Sequence, residues 1–68
     1  MPEIDPYGTL GVSKDASDAE IKRSWRKLAR QYHPDRNPGD SAAEDRFKRI
    51  QEAGDLIGSP EARKKYDE

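Results

Sequence analysis

Twice in this chain a Ser-x-x-Glu quartet stands at the head of apolar residues spaced three or four apart: once at Ser17 and Glu20, once at Ser41 and Glu44. In such a quartet the serine hydroxyl accepts from the amide three residues on and the glutamate reaches back, which satisfies donors that a helix start leaves open. Behind the first quartet, Ile21, Trp25, Leu28 and Tyr32 fall on one helical face. Behind the second, Ala43, Phe47, Ile50, Gly54 and Ile57 do the same. The first helix is predicted to start near Asp18, with Asp18 and Glu20 at the positive end of its dipole. Pro34 ends it, because the residue before a proline is pushed out of the helical region. Gly58 is the predicted stop of the second. Two amphipathic helices of similar length, joined by the short polar stretch "HPDRNPGD", are expected to pack as an antiparallel hairpin.

The remaining segments are short. "DPYGTLGV" reads as a turn or brief helix that brings Tyr7, Leu10 and Val12 to one side of the hairpin. "SPEARKKYDE" reads as a last helix with Ser59 as cap and Pro60 at its first position. Neither is stable alone. A chain of 68 residues can bury one small core, so the expectation is a single all-α domain over residues 1–68, with residues 33–40 as the loop between the two long helices. There is no cysteine, hence no disulfide framework and no thiolate zinc site, and stability must come from packing and caps. Hydrophobic residues at 31% and charged residues at 40% approach a disordered composition, but their periodic placement decides for a fold. With no apolar run long enough for a membrane helix and no signal-peptide layout, the chain reads as soluble and unprocessed.

Around the first long helix the charges segregate. Lys22, Arg26, Arg30, Arg23 and Lys27 fall roughly between 100° and 240° from Ile21, opposite the apolar arc. The formal net charge is only −1, so this is a cationic patch on a nearly neutral protein, suited to a partner with an acidic surface. A charged face is ordinarily just solvated. Here, however, no acid interleaves the five cations after Glu20, so the i,i+4 ion pairs of a merely structural face are missing. Trp25 lies at the edge of the apolar arc beside Lys22 and Ala29, and reads equally as a core residue or as an interface anchor.

His33 is the sole histidine, followed by Pro34 and Asp35. Nucleophilic catalysis needs a nearby Ser, Cys or Thr, an oxyanion donor and a cleft, and this turn offers no such nucleophile. One histidine and one aspartate lack the ligand number of a stable metal site. No nucleotide-binding G-x-x-x-x-G-K-[ST] loop is present, so neither metal nor cofactor is expected and the chain is not expected to be an enzyme. Two readings stay open: a connecting turn stiffened by Pro34 and Pro38, or a preorganised docking tip that offers His33 and Asp35 beside a cationic helix.

"DPYGTLGV", "EIKRSWRKLARQYHPDRN", "FKRIQEA" and "ARKKYD", in this order and spacing, resemble the J domain of DnaJ-type cochaperones from end to end. The resemblance implies a module that docks on a DnaK-type seventy-kilodalton heat-shock chaperone in its ATP state and stimulates that partner's ATP hydrolysis in protein folding and stress response. By the same resemblance His33, Pro34 and Asp35 form the required tripeptide. Lys22, Arg26 and Lys27, with Trp25 where an aromatic is usual, meet an acidic region of the partner, and Arg36, Asn37 and Lys48 match assisting positions. The domain itself is expected to be monomeric, to bind neither nucleic acid nor membrane, and to work in the cytoplasm or another compartment that holds such a chaperone. The alternative from another class is a nucleic-acid binder using the basic helix. The near-zero net charge and the acids of the second long helix argue against it.

Two positions depart from the family pattern: Pro6 replaces a usual tyrosine before Tyr7, and Gly54 replaces the tyrosine of a usual "EAY". Gly54 sits on the apolar stripe and costs about 1 kcal/mol of helix propensity relative to alanine. The expectation is a looser hairpin near Gly54, relieved by a bulky neighbour such as Trp25 or by repacking of the N-terminal segment, and a higher melting temperature for Gly54→Ala.

Overall fold

Side-chain caps start three of the helices in the computed structural model, which describes residues 5–68. The first helix, α1 (Pro6–Leu10), relies instead on Pro6 in its first turn and on Gly11, whose φ of 68° lies in the left-handed region that a residue without Cβ tolerates. Ser17 Oγ accepts from the Glu20 amide at 3.1 Å and starts α2 (Asp18–Gln31). Ser59 Oγ accepts from the Ala62 amide at 3.2 Å and starts α4 (Pro60–Asp67).

At α3 (Ser41–Ile57) the cap stands one residue earlier than the Ser41–Glu44 quartet suggested. Asp40 Oδ1 accepts from the Ala43 amide at 3.1 Å, and Ser41 is the first helical residue. A carboxylate next to the positive end of a helix is the better acceptor, and Gly39, at φ 75°, turns the chain so that Asp40 arrives extended. Tyr32 is the C-cap of α2, so His33 belongs wholly to the turn.

Pairs between the long helices run in opposite order along the chain. Trp25 meets Gln51 and, farther along α2, its C-cap Tyr32 lies under Arg46, so α2 and α3 form the antiparallel hairpin. Helix α1 packs against α3 and, less extensively, α2, while α4 packs on α3. One core cluster joins Tyr7, Leu10, Ala16, Ile21, Ile50, Ala53 and Ile57, with Val12, Leu28 and Tyr32 partly buried around it. Pro6 is fully buried, so the ring that departs from the family pattern is a packed residue of α1.

Trp25 closes the seam at the other departure. A Cβ added at Gly54 would land among the indole atoms Cε2, Nε1 and Cδ2. At Gly58 it would meet the Gly54 carbonyl oxygen and stand 2.8 Å from Cζ3 of the same ring. The indole Nε1 donates to Gln51 Oε1 at 3.3 Å. The volume that a tyrosine at position 54 would fill is thus taken by the tryptophan from the facing helix. This is the relief by Trp25, but it reverses the expectation for Gly54→Ala, because alanine has no room. Gly58 does end α3, but with φ −77° and ψ −7°, a right-handed conformation open to any residue. Its glycine serves close approach rather than a left-handed cap.

Arg63 ties the chain's ends together, which the sequence pattern did not announce. Its Nη1 donates to Asp18 Oδ1 at 2.9 Å, Nη2 to the Lys14 carbonyl at 2.7 Å and Nε to the Tyr7 hydroxyl at 3.3 Å. The guanidinium also lies 5.7 Å from the centre of the Tyr7 ring, and the Tyr7 hydroxyl donates to the Asp67 carboxylate at 3.0 and 3.1 Å. Hydrogen bonding to Asp18, and then to Tyr7, holds the Arg63 pKa above its ordinary value. One side chain therefore joins α1, the start of α2, and α4.

Candidate docking site

The end of α2 leaves carbonyl oxygens without helical partners, and the following turn is built to use them. Asn37 Nδ2 donates to the Gln31 carbonyl at 2.9 Å and to the His33 carbonyl at 3.1 Å. The amides of Arg36 and Asn37 also donate to the His33 carbonyl, at 3.0 and 3.1 Å. The turn is therefore wound around a single oxygen, with Pro34 fixing its first step. Asn37, expected to assist docking, is half-buried and acts here as the staple of the turn.

Within that frame His33 is oriented twice. Its Nδ1 accepts from the Asp35 amide at 3.1 Å, so the neutral ring carries its proton on Nε2. Its ring stands edge-on to Phe47, with centroids 5.3 Å apart and planes at 78°. The Asp35 carboxylate lies 3.7 Å from Nδ1 and is 92% exposed, while the His33 side chain is 47% exposed. The geometry presents an oriented histidine donor and an exposed carboxylate side by side on a hydrogen-bonded tip. Pro34 and Arg36 are exposed beside them. In the sequence Phe47 stands only as part of the apolar stripe of α3. Its position in the first two turns after the loop, on the face toward α2, was the available sign that it could support His33.

Along α2 the cations collect as the wheel indicated. Lys22, Arg23, Arg26, Lys27 and Arg30 line one open surface with Ala19, and all five are exposed. Among the described residues none of them makes an ion pair; the pairs present are Arg63 with Asp18 and, when His33 is protonated, His33 with Asp35. Trp25 is not gathered onto this surface. It is half-buried in the seam between α2 and α3, with Gly54 and Gly58 beneath its ring. Lys48 is exposed on α3, next in sequence to Phe47. Among the described residues no group of three or more His, Cys, Asp or Glu is placed to hold a metal ion, and no helix is long and apolar enough to cross a membrane.

A hairpin of two long helices flanked by two short ones, with an HPD tip at the turn and a cationic face on the helix before it, is the J-domain fold. The family model described as "DnaJ domain" matches residues 5–67, and the chain belongs to that family. It is 59% identical over 64 residues to a DnaJ-like protein of Synechocystis sp., an alignment that covers 94% of this chain and 19% of that protein. It is 61% identical over 62 residues to the chaperone protein DnaJ 2 of Corynebacterium glutamicum, covering 91% of this chain and 16% of that one. To the chaperone protein DnaJ 1 of Streptomyces coelicolor it is 59% identical over 66 residues, 97% of this chain and 16% of the relative. The chain thus spans under a fifth of the length of these relatives.

Proposed function

We propose that this chain is a cochaperone module that docks on a DnaK-type seventy-kilodalton chaperone in its ATP state and stimulates ATP hydrolysis there, coupling hydrolysis to client capture. The observation that carries this reading is the pairing, on one hairpin, of a hydrogen-bonded tip exposing Asp35 with a cationic face that makes no ion pair among the described residues. Lys22, Arg26 and Lys27 speed encounter and set register on an acidic surface of the partner. The tip then enters between the partner's domains, where the Asp35 carboxylate pairs with an arginine and His33 donates through Nε2. Arg36 and Lys48 add charge at the rim, Asn37 holds the turn, and Trp25 fixes the helix that carries the cations. Acceleration requires that this contact favour the hydrolysis-competent state of the partner over its resting state, since equal affinity for both shifts nothing. The chemistry is the partner's, and the chain contributes positioning. It acts as one monomeric domain over residues 1–68, in whichever compartment holds the chaperone.

His33→Gln tests the reading. Stimulation should be lost while the circular dichroism spectrum stays helical, because the side chain is half exposed and outside the core cluster. A variant that stimulates like the parent would refute it. Affinity for DNA or RNA that falls steeply with salt and survives His33→Gln would point instead to a nucleic-acid module on the basic helix.

A further inference from the structure

A groove on the α1 side of the hairpin lies apart from the HPD tip and the cationic face. Leu28, Tyr32 and Ile50 form its floor, the α1 residues Gly8 and Thr9 form one wall, and Arg46 and Arg49 of α3 form the other. Leu28 and Arg26 are two residues apart and so project roughly 160° apart around α2, which sets this groove nearly opposite the cationic arc.

Its chemistry is specific. Arg46 and Arg49 are both exposed, and neither is paired with a carboxylate among the described residues. The Arg46 guanidinium is held over the Tyr32 ring, 5.8 Å from its centre, so one donor fork is already positioned at the groove's edge. The two arginines stand three apart on one helix and act as neighbours. Among the described residues no acid is part of the groove's lining, although the Asp5 carboxylate stands against Gly8 at the α1 wall; that wall itself carries no long side chain, only a glycine and the small hydroxyl residue Thr9.

From this we infer that the groove is a second docking surface, whose occupant is an extended acidic segment of a partner protein carrying one large apolar side chain. The carboxylates pair with Arg46 and Arg49 while the apolar side chain lies on Leu28 and Tyr32. Charge complementarity selects the acidic segment, and the apolar floor selects the hydrophobic residue within it. A nucleic acid would need a cationic track longer than two arginines on adjacent turns. The inference is independent of the chaperone reading, because it uses no residue of the tip or the cationic arc.

The test is an NMR titration of the isotopically labelled 68-residue chain with a short synthetic peptide of glutamates and glycines around one leucine, beside the same peptide with serine for leucine. Saturable shifts should appear at Gly8, Thr9, Tyr32, Arg46 and Arg49. The double variant Arg46→Gln, Arg49→Gln should weaken binding at least about tenfold, and the serine peptide should bind severalfold more weakly. Circular dichroism of the double variant should match the parent, and its ATPase stimulation should be unchanged, which separates this surface from the proposed function. Shifts confined to Lys22, Arg23, Arg26, Lys27 and Arg30, equal binding of both peptides, or no saturable binding would overturn the inference.

Discussion

Gly54→Ala should destabilise the domain, against the ordinary preference of a helix for alanine. Alanine in place of glycine gains about 1 kcal/mol of helix propensity. The added Cβ, however, falls among three atoms of the Trp25 indole, and the ring cannot retreat freely. It rests on Gly58 as well, where a hypothetical Cβ is already 2.8 Å from Cζ3, and its Nε1 is committed to Gln51. Overpacking a well-fitted site costs typically about 1–3 kcal/mol, and a clash with a rigid ring belongs at the upper end. The net loss is then about 2 kcal/mol, which for a domain of this size lowers the melting temperature by roughly 10 °C. Thermal denaturation followed by circular dichroism measures the loss, and fluorescence of the sole tryptophan reports whether the indole has moved. The same substitution in a Trp25→Ala background should change sign and stabilise by about 1 kcal/mol, since only helix propensity is left. A melting temperature for Gly54→Ala equal to or above the parent's would refute the packing described for this seam.

Four further substitutions probe three separate contacts. Asp40→Ala should cost about 1 kcal/mol by removing the α3 cap, while Ser41→Ala should be nearly neutral; paired urea denaturation curves distinguish them, and the reverse order would restore Ser41 as the cap. Arg63→Ala should lower the melting temperature and speed amide exchange across residues 60–67, leaving the proposed ATPase stimulation intact; unchanged exchange in α4 would show that the clamp holds nothing. Asn37→Ala should speed amide exchange at Arg36 and Asn37 and reduce stimulation severalfold with little change in global stability, because the bonds it removes are confined to the turn.

The parts of the fold legible in the sequence were those written in single-helix periodicity. Ile21, Leu28, Ile50 and Ile57 announce their faces by spacing alone, and Ser17 and Ser59 mark helix starts because each stands directly before its helix. The α3 cap was misread by one residue because Asp40 and Ser41 are adjacent cap formers, and only the turn at Gly39 decides which arrives extended. Gly54 was legible as a gap but not in sign, since its meaning depends on the Trp25 ring on the opposite helix. The Arg63 clamp had no local signature, for its partners Tyr7, Lys14 and Asp18 lie more than forty residues away. At the tip the residues His33, Pro34 and Asp35 were evident, but Phe47 beneath the imidazole was hidden among core positions.

Single-turnover ATP hydrolysis by a DnaK-type chaperone, measured with this chain and with its Asp35→Asn variant, tests the central claim most directly. Asp35 is almost fully exposed and lies outside the core cluster, so the variant should keep its helical spectrum. Stimulation by the parent and none by the folded variant is the predicted result. A parent that is folded yet stimulates none of several such chaperones, or a variant that stimulates as well as the parent, would contradict it.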